Sequence, residues 1–332
     1  MNENFLQKIP CRIIGLWLAI FFVGYFLFNS QSQEEEFLFQ SNNFLLPQAY
    51  SIDAIALIAM GSLSKSYSVD YSISSIRLIG KWKGAIYVLT DSPSCFDEIA
   101  EKHSLKIVNI PPQKDILHIK SLKAQMFTYL PDTVQNVLYM DVDILVARSL
   151  IPFFRDLNYL LFRHQNNVMK SQELKDIQHP SPSQNLSVSS GSFGFGAFLD
   201  ARGHFVGFCS GCEKWHTGIM FLNRQSAGNC LKSWKDILLS GKFNTDQESL
   251  DFAEKNGTCV RNFFFPRRHL LFAKDYLAMI FTSGQTFIHL TAAARPEEQG
   301  YFYREIVLPR IRNSLHPPLN PAKLALEKQC KP

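Results

Sequence analysis

Between Ala54 and Met140, short apolar runs alternate with stretches whose apolar residues recur at helical spacing, and few folds accept that alternation. Ala54 to Met60 reads as a first strand. Val69, Ile73, Ile76 and Ile79 then mark a helix, and Ala85 to Leu89 a second strand. A helix around Phe96 to Lys102, a strand at Leu105 to Ile110, a helix around Leu122 to Leu130 and a strand ending at Met140 continue the series. Four strands alternating with three helices predict an α/β architecture on a parallel sheet, whose ligand crevice lies outside the carboxyl ends of the strands.

The fourth run, Val137-Leu138-Tyr139-Met140, ends at such a place in two carboxylates one residue apart, Asp141-Val142-Asp143, and turns apolar again at Ile144-Leu145-Val146. In an extended backbone, residues i and i+2 point the same way about 6.5 to 7 Å apart, so both carboxylates converge on one hard divalent cation. The competing reading is a solvated acidic pair where a buried strand surfaces.

Later segments are less regular. Leu150 to Phe154 and Tyr159 to Phe162 read as structured, whereas residues 165–215, rich in Gln, Ser, Asn and Gly and including Ser189 to Gly196, read as an irregular excursion. Those glycines lack the G-x-G-x-x-G spacing of a phosphate-binding turn. Gly218 to Leu222 is then a strand, Ala227 to Leu239 an amphipathic helix, and Phe287 to Leu290 a late strand carrying His289.

The N-terminus adds a second constraint. Every residue from Ile13 to Phe28 is apolar or glycine, and as a helix this stretch spans about 24 Å. Lys8 and Arg12 precede it and Glu34 to Glu36 follow it, which predicts a single-pass signal anchor with a cytosolic tail at 1–12 and the remainder lumenal. A cleaved signal peptide is the alternative, and both put the body in the secretory pathway. Residues 29–50 read as a stem, 51–315 as the catalytic domain and 316–332 as a C-terminal tail.

Six of the seven cysteines (Cys95, Cys209, Cys212, Cys230, Cys259, Cys330) lie beyond the anchor, where oxidising conditions favour pairing among 15 connectivities. Cys11 sits at the cytosolic membrane edge, where palmitoylation is an open reading. Cys209-Ser210-Gly211-Cys212 with His204 and His216 admits a structural zinc reading beside the disulfide one. Asn185-Leu186-Ser187 and Asn256-Gly257-Thr258 are glycosylation sequons. The net charge of +5 is spread thinly, without the dense basic tract that nucleic-acid binding requires.

Four features in order resemble the glycogenin-like family 8 of nucleotide-sugar glycosyltransferases: the acidic pair, Thr217 to Asn223, Asp246-Gln247, and Phe287 to Leu290 followed by Arg295-Pro296. The resemblance spans Ile55 to Pro296 outside the Ser/Gly-rich excursion. It implies the GT-A fold, a Rossmann-like mixed sheet flanked by helices. It also implies a metal site of Asp141, Asp143 and His289, and imidazole with carboxylates suits Mn2+ better than Mg2+. Lys123, with Lys120 as a rival, would face the nucleotide; Arg295 would replace a phosphate-contacting lysine; Asp246 and Gln247 would hold the sugar, with helix capping the other reading of Asp246. Ser68 and Tyr71 would fall at the base and ribose.

Two positions depart from the family pattern. Ala292 stands for a glycine three residues after the histidine, and His216 for an asparagine, which bear on a phosphate contact and on acceptor or sugar selection. The activity implied is retaining transfer from a nucleotide sugar, a UDP-sugar by resemblance, to a glycan, protein or lipid acceptor at a Golgi or endoplasmic reticulum membrane. Two alternatives stand beside it. A haloacid dehalogenase-type phosphatase also places D-x-D after a strand, but it wants Thr or Val where Leu145 stands and carries the motif on its first strand. The other is a non-catalytic lumenal protein that retains the fold.

Overall fold

A computed structural model describes residues 52–163, 195–200, 214–260, 263–266, 269–272, 285–289 and 328–330. The anchor and stem, Cys209, Cys212, His204, Asn185, Ala292, Arg295 and nearly all of the C-terminal tail lie outside these residues. Among the described residues no helix is long and apolar enough to cross a membrane.

The expected alternation is present. Strands β1 (Ala54–Ala59), β2 (Ala85–Thr90), β3 (Lys106–Asn109) and β4 (Asn136–Met140) are separated by helices α1 (Tyr67–Leu78), α2 (Asp97–His103) and α3 (Ile116–Tyr129). The four strands are parallel, in the spatial order β3-β2-β1-β4. Chain progression therefore reverses between β1 and β4, and at such a switch point the loops diverge and open a crevice at the carboxyl ends. Asp141 follows β4 directly into it.

The central strands β1 and β4 read as nearly unbroken apolar runs because both sheet faces are covered there, whereas β3 at the sheet edge is exposed at Lys106 and Asn109. Ile55, Leu57 and Ala59 of β1 enter one core with Ile73 and Ile76 of α1, while Ala54, Ala56 and Ile58 enter another with Leu122 and Met126 of α3. Capping side chains start the helices where the sheet needs them. Ser66 accepts from the Ser68 amide at α1, and Asp115 from the His118 amide at α3.

Beyond β4 come β5 (Ile144–Val146), β6 (Phe195–Asp200), β7 (Lys214–Asn223), β8 (Phe263–Phe264), β9 (Leu270–Phe272) and β10 (Phe287–His289). Strand β7 runs antiparallel to β4, with β6 and β8 beyond it, completing a seven-stranded mixed sheet. Strands β5, β10 and β9 form a small second sheet. Helices α5 (Arg224–Leu239) and α6 (Asp246–Lys255) cover the face that α3 covers.

One expectation is sharpened and one corrected. The stretches expected to be structured at 150–154 and 159–162 fall, apart from Leu150, on one helix, α4, over 151–163, whose Phe153, Leu157 and Leu161 lie on one buried stripe. The irregular excursion assigned to 165–215 contains β6, which pairs β7 on one side and β8 on the other. Its glycine concealed it, since Gly196 lies against the Phe263 ring where a Cβ would come within 2.2 Å.

Of the 15 pairings, the structure forms Cys95–Cys330 and Cys230–Cys259. The first ties residues 328–330 beside α1, where Lys328 pairs with Asp70 at 2.7 Å and lies over the Phe96 ring. The second joins α5 to the turn after α6 across 29 residues of sequence, and the chain-entropy account gives such a closure about 3–4 kcal/mol. Cys259→Ala is therefore expected to lower stability by about that amount in urea unfolding under non-reducing conditions. An unchanged midpoint would remove this bridge from the account of stability.

Candidate active site

The two carboxylates meet through a turn, which corrects the extended geometry expected for them. The Asp141 amide donates to the Gly218 carbonyl at 2.7 Å and prolongs the β4–β7 pairing by one residue. The Ile144 amide then donates back to the Asp141 carbonyl at 3.2 Å, closing a turn over Asp141-Val142-Asp143-Ile144. Val142 and Ile144 are buried in the core and anchor that turn, leaving the Asp143 side chain 39% exposed.

His289 reaches the turn through sheet register. Antiparallel pairing of β10 with β5 sets His289 opposite Ile144, the residue after Asp143, and His289 Nε2 lies 3.2 Å from Asp143 Oδ2. The start of β10 is fixed by a second histidine, His269, which binds Thr286 Oγ1 at 2.7 Å and Asp156 of α4 at 2.5 Å. Asp141, Asp143 and His289 thus present ligand atoms within 4.8 Å of one another. Two carboxylates and an imidazole at this spacing fit a divalent cation, and fit manganese better than magnesium.

Lys123 does not stand open in the crevice. Its side chain is 10% exposed, and its ammonium lies 2.9 Å from Asp141 Oδ1, 2.7 Å from Asp246 Oδ2 and 3.3 Å from the Thr217 carbonyl. Thr217 Oγ1 donates to the same Asp246 oxygen at 2.8 Å. One lysine on α3 therefore joins the acidic turn to the start of α6. Lys120, its rival, donates to the Asn244 carbonyl at 3.0 Å in the loop before α6.

The electrostatics follow from this sharing. Burial opposes ionisation of Asp246, but Lys123 and the Thr217 hydroxyl outweigh it and bring its pKa down to about 2. Burial pushes Asp141 up, and the negative charges of Asp143 and Asp246 add to that against the pull of Lys123. Asp143 moves the other way, because the His289 ring beside it outweighs its burial. Burial and the neighbouring carboxylates push Tyr139 well up, so its phenol stays protonated and donates to Asp141.

Asp246 opens α6 without capping it, since Thr245 Oγ1 accepts from the Glu248 amide. Trp234 of α5 fixes that start by donating to the Asp246 carbonyl at 3.1 Å. Gln247 follows, half-buried, on the next position of the helix. Ser68 and Tyr71 occupy the first turns of α1, where Ser68 hydrogen-bonds the capping Ser66 and Tyr71 is buried.

Tyr139 and Thr217 were not singled out as site residues in the sequence. Tyr139 was detectable, two residues before Asp141 and so on the same side of β4. Thr217 heads the Thr217 to Asn223 motif, but its contact with Asp246 was not readable there, because it sits where β7 bulges: Ala197 pairs with Met220 and the next residue, Phe198, with His216. Gly218, inside that bulge, has no room for a side chain, since a Cβ would stand 2.9 Å from Asp141 Oδ2 and 2.7 Å from His216 Cε1. Gly218→Ala is expected to displace the Asp141 carboxylate and weaken Mn2+ binding roughly tenfold by calorimetry. An unchanged affinity would show that the bulge yields freely.

No family model matches the sequence, and no curated protein matches it. Among solved structures, the galactosyltransferase LgtC, in complex with donor and acceptor sugar analogues, superposes with a TM-score of 0.50 at 13% identity. The match covers 80% of this chain and 96% of that one. The two chains share a fold. Weaker likenesses are to the glycosyltransferase GlyE of Streptococcus pneumoniae TIGR4, at TM-score 0.43, 12% identity, 71% of this chain and 54% of that one, and to a glycosyltransferase involved in glycosylating the major capsid of PBCV-1, at 0.42, 10%, 74% and 97%.

Proposed function

We propose that this protein is a metal-dependent glycosyltransferase that moves a sugar, with retention, from a nucleotide-sugar donor, a UDP-sugar, to a glycan, protein or lipid acceptor. The observation that carries the reading is the convergence of Asp141 and Asp143 with His289, 146 residues downstream of Asp143, at the mouth of a sheet whose fold LgtC shares. The two disulfides belong to the chemistry of an oxidising compartment and support residence in the secretory pathway, behind an N-terminal anchor in a Golgi or endoplasmic reticulum membrane.

Asp141, Asp143 and His289 would hold the cation, which when bound supplies positive charge opposite a departing diphosphate. The chain's own residues do the rest. Asp246, ionised at every physiological pH, offers oxygens to sugar hydroxyls, and Gln247 beside it offers both a donor and an acceptor. Lys123 keeps Asp246 and Asp141 in fixed relation, so that the sugar is oriented with respect to the bond that breaks. Arg295 would add charge at the phosphates.

The fold disfavours the haloacid dehalogenase reading, because the acidic pair follows the fourth strand of the sheet and Asp141 is engaged by both Tyr139 and Lys123. The test is a panel of nucleotide sugars incubated with the purified domain, with Mn2+ or with EDTA, scored by release of nucleoside diphosphate. Mn2+-dependent cleavage of one donor is expected. Phosphate release from phosphomonoesters, or inertness toward every donor, would overturn the reading in favour of a phosphatase or a non-catalytic protein respectively.

A further inference from the structure

We infer that Asn256 carries an N-linked oligosaccharide that is attached before its own turn closes, an inference that rests on the secretory-pathway placement proposed above. The sequon Asn256-Gly257-Thr258 is also the C-terminal cap of α6. Asn256 is the cap residue, with φ −84° and ψ 3°, and Gly257 after it takes a left-handed φ of 71° that a side chain would resist. The Gly257 amide donates to the Glu254 carbonyl at 2.9 Å and the Thr258 amide to the Ala253 carbonyl at 3.0 Å, the paired bonds of a Schellman turn. The same three residues therefore serve a helix end and a modification signal.

The two chemical parts of that signal fare differently in the fold. Asn256 is exposed, so the surface has room for a sugar on its amide. Thr258, whose hydroxyl completes the signal, donates that hydroxyl to the Ala253 carbonyl at 2.9 Å, where the amides of Thr258 and Cys259 also converge. Cys259, the next residue, is buried and bridged to Cys230 of α5. An enzyme that must surround the tripeptide thus meets a closed turn, stapled one residue downstream. On the chain-entropy account a bridge across 29 residues makes opening of that turn rarer by about 100-fold or more.

Transfer therefore precedes closure. The co-reactant is an oligosaccharide carried on a lipid diphosphate: Asn256 Nδ2 bonds to its anomeric carbon, the bond from that carbon to the diphosphate oxygen breaks, the lipid diphosphate leaves with the electron pair, and the amide gives up one proton. After folding, the glycan projects from the end of α6, about 15 Å along the helix from Asp246 at its start. The crevice stays open.

Two measurements test the inference. In the first, the full chain carrying Asn185→Gln, which leaves Asn256 in the one remaining sequon, is expressed in secretory cells. Electrophoretic mobility is compared before and after peptide N-glycosidase, and protease protection in sealed microsomes scores the compartment. A shift of one glycan is expected, absent when Asn256→Gln or Thr258→Ala is added. A protected chain without that shift would overturn the inference and leave the lumenal placement standing. An unprotected chain would overturn the placement and the inference with it.

The second measurement does not depend on where the chain resides. Purified, unglycosylated chain carrying Asn185→Gln is given to oligosaccharyltransferase with a lipid-linked oligosaccharide, in its folded, bridged form, in a reduced and alkylated form, and as Cys230→Ser. Transfer to the reduced chain is expected to be about 100-fold faster than to the bridged one, with Cys230→Ser between them. Equal rates for the bridged and reduced chains would overturn the order of events, and no transfer to any form would overturn the site.

Discussion

Asp143→Ala is expected to abolish Mn2+-dependent cleavage of the donor while leaving the protein folded. The carboxylate lies on the crevice side of the turn and is the most exposed of the three proposed ligands, whereas Val142 and Ile144 on either side of it are buried and hold the backbone. Removing a side chain so placed costs about 0.5–1 kcal/mol of stability. Removing one of two carboxylate ligands costs far more in rate. Offsetting charge on a departing diphosphate is worth several kcal/mol, so the loss is roughly 10²- to 10⁴-fold in kcat/KM. EDTA should bring the wild type to the same residual rate. Cleavage that persists undiminished in the variant, under saturating Mn2+, would end the metal role of Asp143.

The sequence revealed most where burial forces a simple pattern. Strands β1 and β4 were readable because helices on both faces make them almost wholly apolar, and α1 because Val69, Ile73 and Ile76 repeat at the spacing of one buried stripe. Helix α4 was split because Arg155, Asp156 and Asn158 interrupt a stripe carried by Phe153, Leu157 and Leu161. Strand β6 was lost in a run of serine and glycine, because Gly196 supplies space for Phe263 and no hydrophobicity of its own.

At the site, residue types were readable and their connections were not. The acidic pair stood out through its neighbours, but the turn that joins it depends on one amide, that of Ile144, bonding back to Asp141. Which residue His289 would face was set by the β5–β10 register, a pairing across more than 140 positions that no local pattern encodes. The same holds for Lys123, whose two carboxylate partners lie 18 and 123 residues away.

Lys123→Met is expected to be the most destabilising single substitution in the site. The ammonium is the shared counter-charge of the buried Asp246 and the half-buried Asp141, and removing one partner of a buried pair leaves charge without compensation, at about 3–5 kcal/mol. Methionine keeps the length and apolar stem of the side chain, so the effect reports on charge and little on packing. The pH dependence gives the sign. In the wild type, Asp246 has a folded-state pKa of about 2, below its usual 3.8, so it contributes about 2 kcal/mol of stability above pH 4, lost as the pH falls from there through 2. In the variant, burial acts unopposed by Lys123 and raises that carboxyl, so it opposes folding wherever it would ionise. The stability gap between wild type and variant, measured by urea unfolding, should therefore be widest near neutrality and narrow as the pH drops below 4. A gap that stays constant from pH 7 to pH 3 would show that Lys123 acts through packing, and that Asp246 owes its low pKa to other neighbours.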